Sequence, residues 1–344
     1  MKKNIVSFSA FLLILIFVIF ILYLNKSETA TETVFAMDTY MSLSASGKKA
    51  SEALKKCVEE ITSLDSILAT EKENSEVHRL NEVKTAPLSP VVAELFSKSI
   101  EISDITDGNF DITVYPVMKL WGFNKGSEKH VPSKASIDKL LPFVDYSLIE
   151  TSIDSDTGFT SLSMPENVEV DFGGIAKGYT AYRLKAILEK YKIKSALISL
   201  GGNIRVIGKK ADGSPWKVAI QSPDDSLPYL GVLSVSDKAI VTSGGYERFF
   251  EEDGNVYHHI IDPRTGYPAN TGLKSVTIVT DDDTLADGLS TALFVMGPKN
   301  AIDFYKESSL SFDFVLYTDG NELFISEGLK DAFTSSVSFT EIKK

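Results

Sequence analysis

From residue 195 to residue 261 the chain is a succession of short apolar runs set off by turn residues. The runs 195–200, 204–208, 216–220, 231–236, 239–242 and 256–261 are all of strand length, and Gly201-Gly202 and Gly244-Gly245 punctuate them. Runs this short between glycine pairs read as strands and turns. Residues 33–45 read as a further strand, 160–172 as a strand pair leading into a glycine turn, and 275–280 as another strand. Residues 314–317 and 322–326 read as a closing hairpin around Asp319-Gly320. Helical spacing appears in a few longer stretches. Apolar residues recur at Ala50, Ala53, Leu54, Cys57, Val58, Ile61, Leu64 and Leu68. Ser89-Pro90 opens a helix to about Ile105, with Pro at the first turn where its missing N–H is harmless. Residues 177–191 are amphipathic, and the helix 284–296 is stopped by Gly297-Pro298. Residues 124–140 are a polar excursion with one short helix. Runs of strands with a few long helices predict an α+β fold, not an alternating doubly wound sheet.

Ahead of this body lies an apolar segment. Met1-Lys2-Lys3 is basic, and from Ile5 to Leu24 only Ser7 and Ser9 interrupt the apolar residues. A membrane-spanning helix needs ~20 such residues. A cleaved signal has a shorter apolar region followed by small residues, whereas here Asn25-Lys26 follows directly. Residues 1–4 therefore read as a cytoplasmic n-region and 5–24 as a transmembrane anchor or signal, with the retained anchor favoured. Residues 25–32 read as a linker and 33–344 as the catalytic body. Positive charge before the helix predicts the N-terminus inside and the body outside, at the extracytoplasmic face of the cell membrane. The net charge of −12 argues against a non-specific nucleic-acid binder, which needs a basic face. Cys57 is the single cysteine, so no intrachain disulfide forms, and its place on a helical stripe makes it a buried structural thiol.

Four stretches can carry chemistry. Asp171-Phe172-Gly173-Gly174-Ile175-Ala176-Lys177-Gly178-Tyr179 brings two glycines into a helix start. Free N–H groups there bind anions, and glycine lets a phosphate approach the backbone. The spacing fits neither a dinucleotide fingerprint nor a P-loop, and a lone Gly-Gly pair is a plain turn. In Thr284-Leu285-Ala286-Asp287-Gly288-Leu289-Ser290-Thr291-Ala292, Asp287 and Thr291 are four apart and share one helix face. A carboxylate and a hydroxyl suit Mg²⁺, which takes oxygen ligands and retains substrate phosphates. Taken alone, such a pair is as readily a solvated one. In Tyr257-His258-His259-Ile260-Ile261-Asp262-Pro263-Arg264-Thr265-Gly266, alternation sends the two histidines to opposite faces. One of them beside a phosphate or hydroxyl can act as general base. Gly108 to Pro116, followed by Leu120-Trp121-Gly122-Phe123, sets aromatics beside an acid, either to clamp a flat ring or to pack a core.

The order of the motifs says more than any one of them. Met37-Asp38-Thr39, Ser75-Glu76-Val77-His78-Arg79-Leu80-Asn81, Gly108 to Pro116 with Leu120 to Phe123, and Asp171 to Tyr179 come first. Leu200-Gly201-Gly202-Asn203, Thr242-Ser243-Gly244-Gly245-Tyr246-Glu247-Arg248, His259 to Gly266 and Ala286 to Phe294 follow. Together they resemble the FAD:protein FMN transferase (ApbE) family from about Phe35 to Gly297. The resemblance implies a T-fold-like α+β architecture, with antiparallel sheets packed by helices into two lobes and the active site between them. It implies Mg²⁺-dependent transfer of FMN from FAD to a Thr or Ser of a target protein, with release of AMP. The implied partners are acceptor proteins, electron-transfer proteins with an FMN-binding domain. By the family's pattern Met37 touches the flavin or adenine. Asn109, Phe110, Asp111, Asp171 and Lys177 line the FAD pocket, and Ile261 borders it. Asp287, Thr291 and the backbone carbonyl of Gly174 hold the metal, and His259 is the candidate catalytic base.

This chain departs from the pattern at Glu71, where many members carry an aromatic, and in its helical anchor, where many members are lipoproteins. Water in place of a protein hydroxyl would make the same site an FAD pyrophosphatase. A non-catalytic FAD-binding protein is the reading from another class, against which Asp287 and Thr291 argue. Asp287 to Ala292 also looks loosely like the Asp-Gly-rich segment that such enzymes flavinylate. Its amphipathic run with Leu289, Leu293 and Met296 reads instead as the metal helix.

Overall fold

Nine strands pair in the order Thr29–Ala36, Thr39–Ser46, Ser195–Leu200, Asn203–Gly208, Ala239–Gly244, Leu273–Thr280, Asp313–Thr318, Leu323–Ser326 and Phe339–Ile342. The computed structural model describes residues 29–155, 158–224 and 226–344. The n-region 1–4 and the anchor 5–24 lie outside the described residues, among which no helix is long and apolar enough to cross a membrane. Every pairing in the large sheet is antiparallel except the last. Leu323–Ser326 runs parallel to Phe339–Ile342, because the chain leaves the sheet through Phe333–Thr334 before it returns. The expected antiparallel sheet is therefore mixed, and the α+β class stands.

Alternation along the strands sorts the core into layers. Ile240 lies opposite Val279, and Val315 opposite Ile325. These residues bury against Val218 and Leu233 of a three-stranded sheet formed by Phe333–Thr334, Tyr229–Val235 and Trp216–Gln221. Their neighbours Val241, Ile278 and Phe314 point the other way, toward the helix Asp283–Glu307. At the far end Met41, Leu43 and Ala45 pair with Leu200, Ile198 and Ala196. They pack beneath the helices Ala50–Leu68 and Ala176–Lys190 through Leu54, Ile61, Leu184 and Leu188. Cys57 is part of that layer, and burial pushes its thiol up to about 12, so it is inert.

The local pattern misleads in two places. Residues 33–45 are not one strand. Thr29–Ala36 and Thr39–Ser46 form a hairpin whose loop residues Met37 and Asp38 both have left-handed φ, 48° and 58°. Thr29 to Glu32, read as part of the linker, already belong to this hairpin. Of residues 160–172 only Thr160–Ser163 is a strand, paired with Thr85–Pro87 and Glu150–Ile153. Beyond it the chain is held by Asn81, whose side-chain amide donates to the Val170 carbonyl at 2.9 Å and accepts from its N–H at 2.8 Å. The helix from Asp283 does end at Gly297, where φ 77° and ψ 170° break the helical path as Gly297-Pro298 predicts, and a second helical segment carries the element on to Glu307.

One buried ion pair anchors the start of that helix. Arg205 donates from Nε to Asp283 Oδ1 at 2.8 Å and from Nη2 to Oδ2 at 2.6 Å. Both side chains are almost wholly buried, at 1% and 2% exposure. Arg205 also donates to the Asp237 carbonyl at 3.0 Å. Burial raises the Asp283 pKa while Arg205 pulls it back. Arg205→Met would leave a buried carboxylate without its counter-charge, a change that costs about 3–5 kcal/mol. Urea unfolding of the variant checks this, and a loss under about 1 kcal/mol, typical of an exposed pair, would refute it.

Candidate active site

The site starts where residue 171 turns into the helix Ala176–Lys190. Asp171 Oδ1 accepts the Gly173 N–H at 3.0 Å, and the Phe172 carbonyl accepts from Ile175 and Ala176 at 2.9 and 2.8 Å. In a continuous helix the Gly178 N–H would bond the Gly174 carbonyl. It donates instead to Asp287 Oδ2 at 2.7 Å. The Gly174 carbonyl is thereby left for another partner. Gly178 has to be glycine, since a Cβ there would lie 2.3 Å from the Asp283 carbonyl oxygen and 2.6 Å from Asp287 Cβ. Across the gap, a Cβ on Gly174 would lie 3.1 Å from the Phe110 ring and 3.9 Å from Thr291 Oγ1.

Asp287 reaches this helix start through Gly178 and Thr291 stands beside Gly174, so the residues expected to hold the metal are neighbours. Asp287 is buried, and burial raises its pKa, against the pull of the Lys177 charge and of Asn203. Lys177 Nζ rests on the Gly201 carbonyl at 3.3 Å. Among the described residues no three His, Cys, Asp or Glu side chains gather to hold a metal. A carboxylate, a hydroxyl and a carbonyl are nevertheless hard oxygen donors, and so few of them suit an ion that keeps water and substrate phosphates in its shell. The donor set fits Mg²⁺.

The strand Asn255–His258 and its continuation form the opposite wall. His258 packs edge-on against Phe294 at 5.4 Å, while His259 turns to the other face and meets Phe123 at 6.4 Å. His259 Nδ1 lies 3.2 Å from the Arg248 carbonyl. A carbonyl only accepts, so Nδ1 carries the proton and Nε2 is left as the basic nitrogen. The enclosing protein, then Arg248, His258 and Lys177, push the His259 pKa down to about 3. Asp171 lies in the same recess, where burial raises its pKa and Arg248 lowers it. Glu247, absent from the expected site, reaches it too. Its Oε1 would sit 3.3 Å from a Cβ on Gly202. Its surface is open to solvent, yet the surrounding walls raise its pKa, with Lys177 opposing and Asp287 reinforcing.

Other expected residues take different places. Met37 Sδ accepts from Thr180 Oγ1 at 3.8 Å, one turn beyond Lys177. Phe110 is buried and borders Gly174. Asn109 is tied to the Thr106 carbonyl at 2.7 Å and accepts from Arg264. Asp111 accepts from the Thr113 N–H at 2.7 Å, from its hydroxyl at 2.6 Å and from the Tyr146 N–H at 3.0 Å. Asp111 therefore holds the turn that presents Phe110, with Oδ1 carrying two donors and Oδ2 one. Ile261 is not on the pocket wall, because it is buried in the cluster of Val117, Trp121 and Ile137. Trp121 is fully buried among Phe250, Tyr257 and Tyr267 and donates to the Gly266 carbonyl at 2.8 Å, so it packs a core and clamps no ligand. Glu71 accepts from the Lys125 N–H near Asp171. Asn203, Ser243, Glu247 and Arg248 all stand inside motifs that the sequence displays, but residue type alone does not tell which of them faces inward.

Comparison with known proteins decides the family. The ApbE family model matches residues 37–315. The chain belongs to the ApbE family. The FAD:protein FMN transferase of Haemophilus influenzae is 31% identical over 286 residues, covering 81% of this chain and 81% of its own length. The Treponema pallidum protein of the same name is 34% identical over 260 residues, 70% of each. The ApbE protein of Thermotoga maritima superposes with a TM-score of 0.81 at 29% identity, covering 89% of this chain and 99% of that one. The Pseudomonas stutzeri flavinyl transferase ApbE, in its apo form, gives 0.78 at 28%, covering 91% and 98%.

The neutral His259 of this ApbE chain has a consequence for stability. The unfolded chain binds a proton at this histidine near its ordinary value of 6.5, whereas the folded chain resists until about 3. Lowering the pH through that window therefore favours unfolding, and above it the histidine contributes no pH dependence. The expected result is a smaller fall in Tm between about pH 7 and about pH 4 for His259→Gln than for the unsubstituted chain. Thermal melts across that range test it, and parallel curves would refute it.

Proposed function

We propose that this chain transfers FMN from FAD to a Thr or Ser hydroxyl of a protein acceptor, with Mg²⁺ bound and AMP released. The observation that carries the reading is the meeting of Asp287 and Thr291 with the glycine-rich helix start at Gly178 and Gly174, with a neutral histidine in the same recess. The curated relatives bearing the name FAD:protein FMN transferase support it.

Each residue has a task in this reading. Asp287, Thr291 and the Gly174 carbonyl hold the ion, which supplies Lewis-acid polarisation of the pyrophosphate when bound. Lys177 faces the anionic phosphates and stabilises charge on the transferred phosphoryl group. His259 takes the acceptor's proton at Nε2. The acceptor oxygen bonds to the FMN phosphorus, the bond from that phosphorus to the bridging oxygen breaks, and AMP leaves with the electron pair. A pKa of about 3 makes His259 a weak base in the free protein. Phosphate charge would offset Arg248 and Lys177, so its basicity rises only with substrate in place. Residues 5–24 tether the body to the outer face of a membrane, a placement supported by their length and by the basic residues before them. Acceptors are then extracytoplasmic proteins.

Incubation with FAD, Mg²⁺ and a candidate acceptor, read by intact-protein mass, tests the reaction. An FMN-sized gain on the acceptor is expected, lost with a chelator and in Asp287→Ala. His259→Ala should slow transfer by ~10²–10⁴-fold with little change in FAD binding. Free FMN without a mass gain would instead indicate hydrolysis, and uncleaved FAD a binding protein.

A further inference from the structure

We propose that Ser243 and Ser290 are positioning residues that turn Thr291 into an acceptor-only ligand, through a one-way chain of hydroxyls ending on the backbone of Asp287. The inference rests on the metal-binding reading above. A threonine inside a helix ordinarily donates its hydroxyl proton to the carbonyl four residues back. For Thr291 that carbonyl belongs to Asp287. Ser290 Oγ already donates to it, at 2.8 Å. A hydroxyl has one proton, so Ser290 can only accept in its contact with Ser243 Oγ at 2.7 Å. Ser243 therefore donates there and has no proton left for Thr291. Toward Thr291 Oγ1, at 3.5 Å, it presents lone pairs.

The direction of each proton follows. The Thr291 proton turns toward Ser243, and the Thr291 lone pairs are left for the Gly174 side, where the hydroxyl lies 3.9 Å from the Cβ position. A cation needs lone pairs and is repelled by a proton. The chain thus removes the two arrangements that would spoil the ligand, a back-bonded hydroxyl and a proton aimed at the ion. Ser243 lies on the strand Ala239–Gly244 and Ser290 on the metal helix, so the relay also fixes that helix face against the sheet.

Mn²⁺ binding tests this without turnover, by EPR titration of the full chain with FAD and no acceptor. Ser243→Ala should raise the half-saturating Mn²⁺ concentration by ~10-fold, the size usual for lost partners of metal ligands. Ser290→Ala should raise it too, since the Asp287 carbonyl then recaptures Thr291. Ser243→Thr, which keeps the hydroxyl, should stay near the unsubstituted chain. Thermal melts show which variants are folded, and if Ser243→Ala is not, Ser290→Ala decides. If both alanine variants bind Mn²⁺ normally while Asp287→Ala does not, the relay is wrong and the metal site stands. If Asp287→Ala also binds normally, the metal reading itself falls, and the relay with it.

Discussion

Everything at the site depends on one contact, the Gly178 N–H donating to the Asp287 carboxylate at 2.7 Å. It joins the helix Ala176–Lys190 to the helix Asp283–Glu307 at a separation that only a glycine permits. The contact diverts an N–H from its helical partner, frees the Gly174 carbonyl, and engages one oxygen of a buried acid. Behind it, the Arg205–Asp283 pair ties the start of the second helix to the strand Asn203–Gly208. An unpaired carboxylate at Asp287 would be costly to bury, but a backbone donor and the Lys177 charge offset the penalty. The result is a rigid ligand face on regular structure, which is more exact than one built on loops.

Much of the fold is legible in local pattern because its strands are short and glycine pairs separate them. The failures share a physical cause. The hairpin at Met37 and Asp38 lacks the Gly or Asn that announces such turns. Its backbone is held instead by Asp65, far along the chain, which accepts the Met37 N–H at 2.8 Å. The segment after Ser163 looks like a strand, but its hydrogen-bond partner is the side chain of Asn81, 89 residues from Val170. Such long-range substitutes for a sheet ladder leave no periodic trace.

The site was legible as an ordered set and less so residue by residue. Asp287 and Thr291 stand beside Gly178 and Gly174, a neighbourhood that helix geometry and a glycine turn make readable locally. Asp111 and Ile261 sit in the right stretches, yet one carboxylate is largely engaged in holding backbone and one side chain fills an aromatic core. Glu247 is the converse. A carboxylate just after a glycine pair looks like surface, and only the fold reveals that Lys177 and Asp287 share its recess. Which atoms of a polar residue are already occupied is decided by packing, and sequence does not record it.

The shared use of Asp287 also bears on how ligands load. With one oxygen engaged by Gly178, the acid brings a single formal charge to any ion, alongside two neutral oxygens. On the proposed reading a divalent cation is held weakly until phosphate oxygens complete its shell, and the phosphates are held weakly until the cation screens them. Ion and dinucleotide are then thermodynamically linked, and linkage is reciprocal: whatever factor one adds to the affinity of the other, it receives in return. Filling of the site would follow the product of the two concentrations more closely than either alone, which makes the protein a coincidence detector for the two.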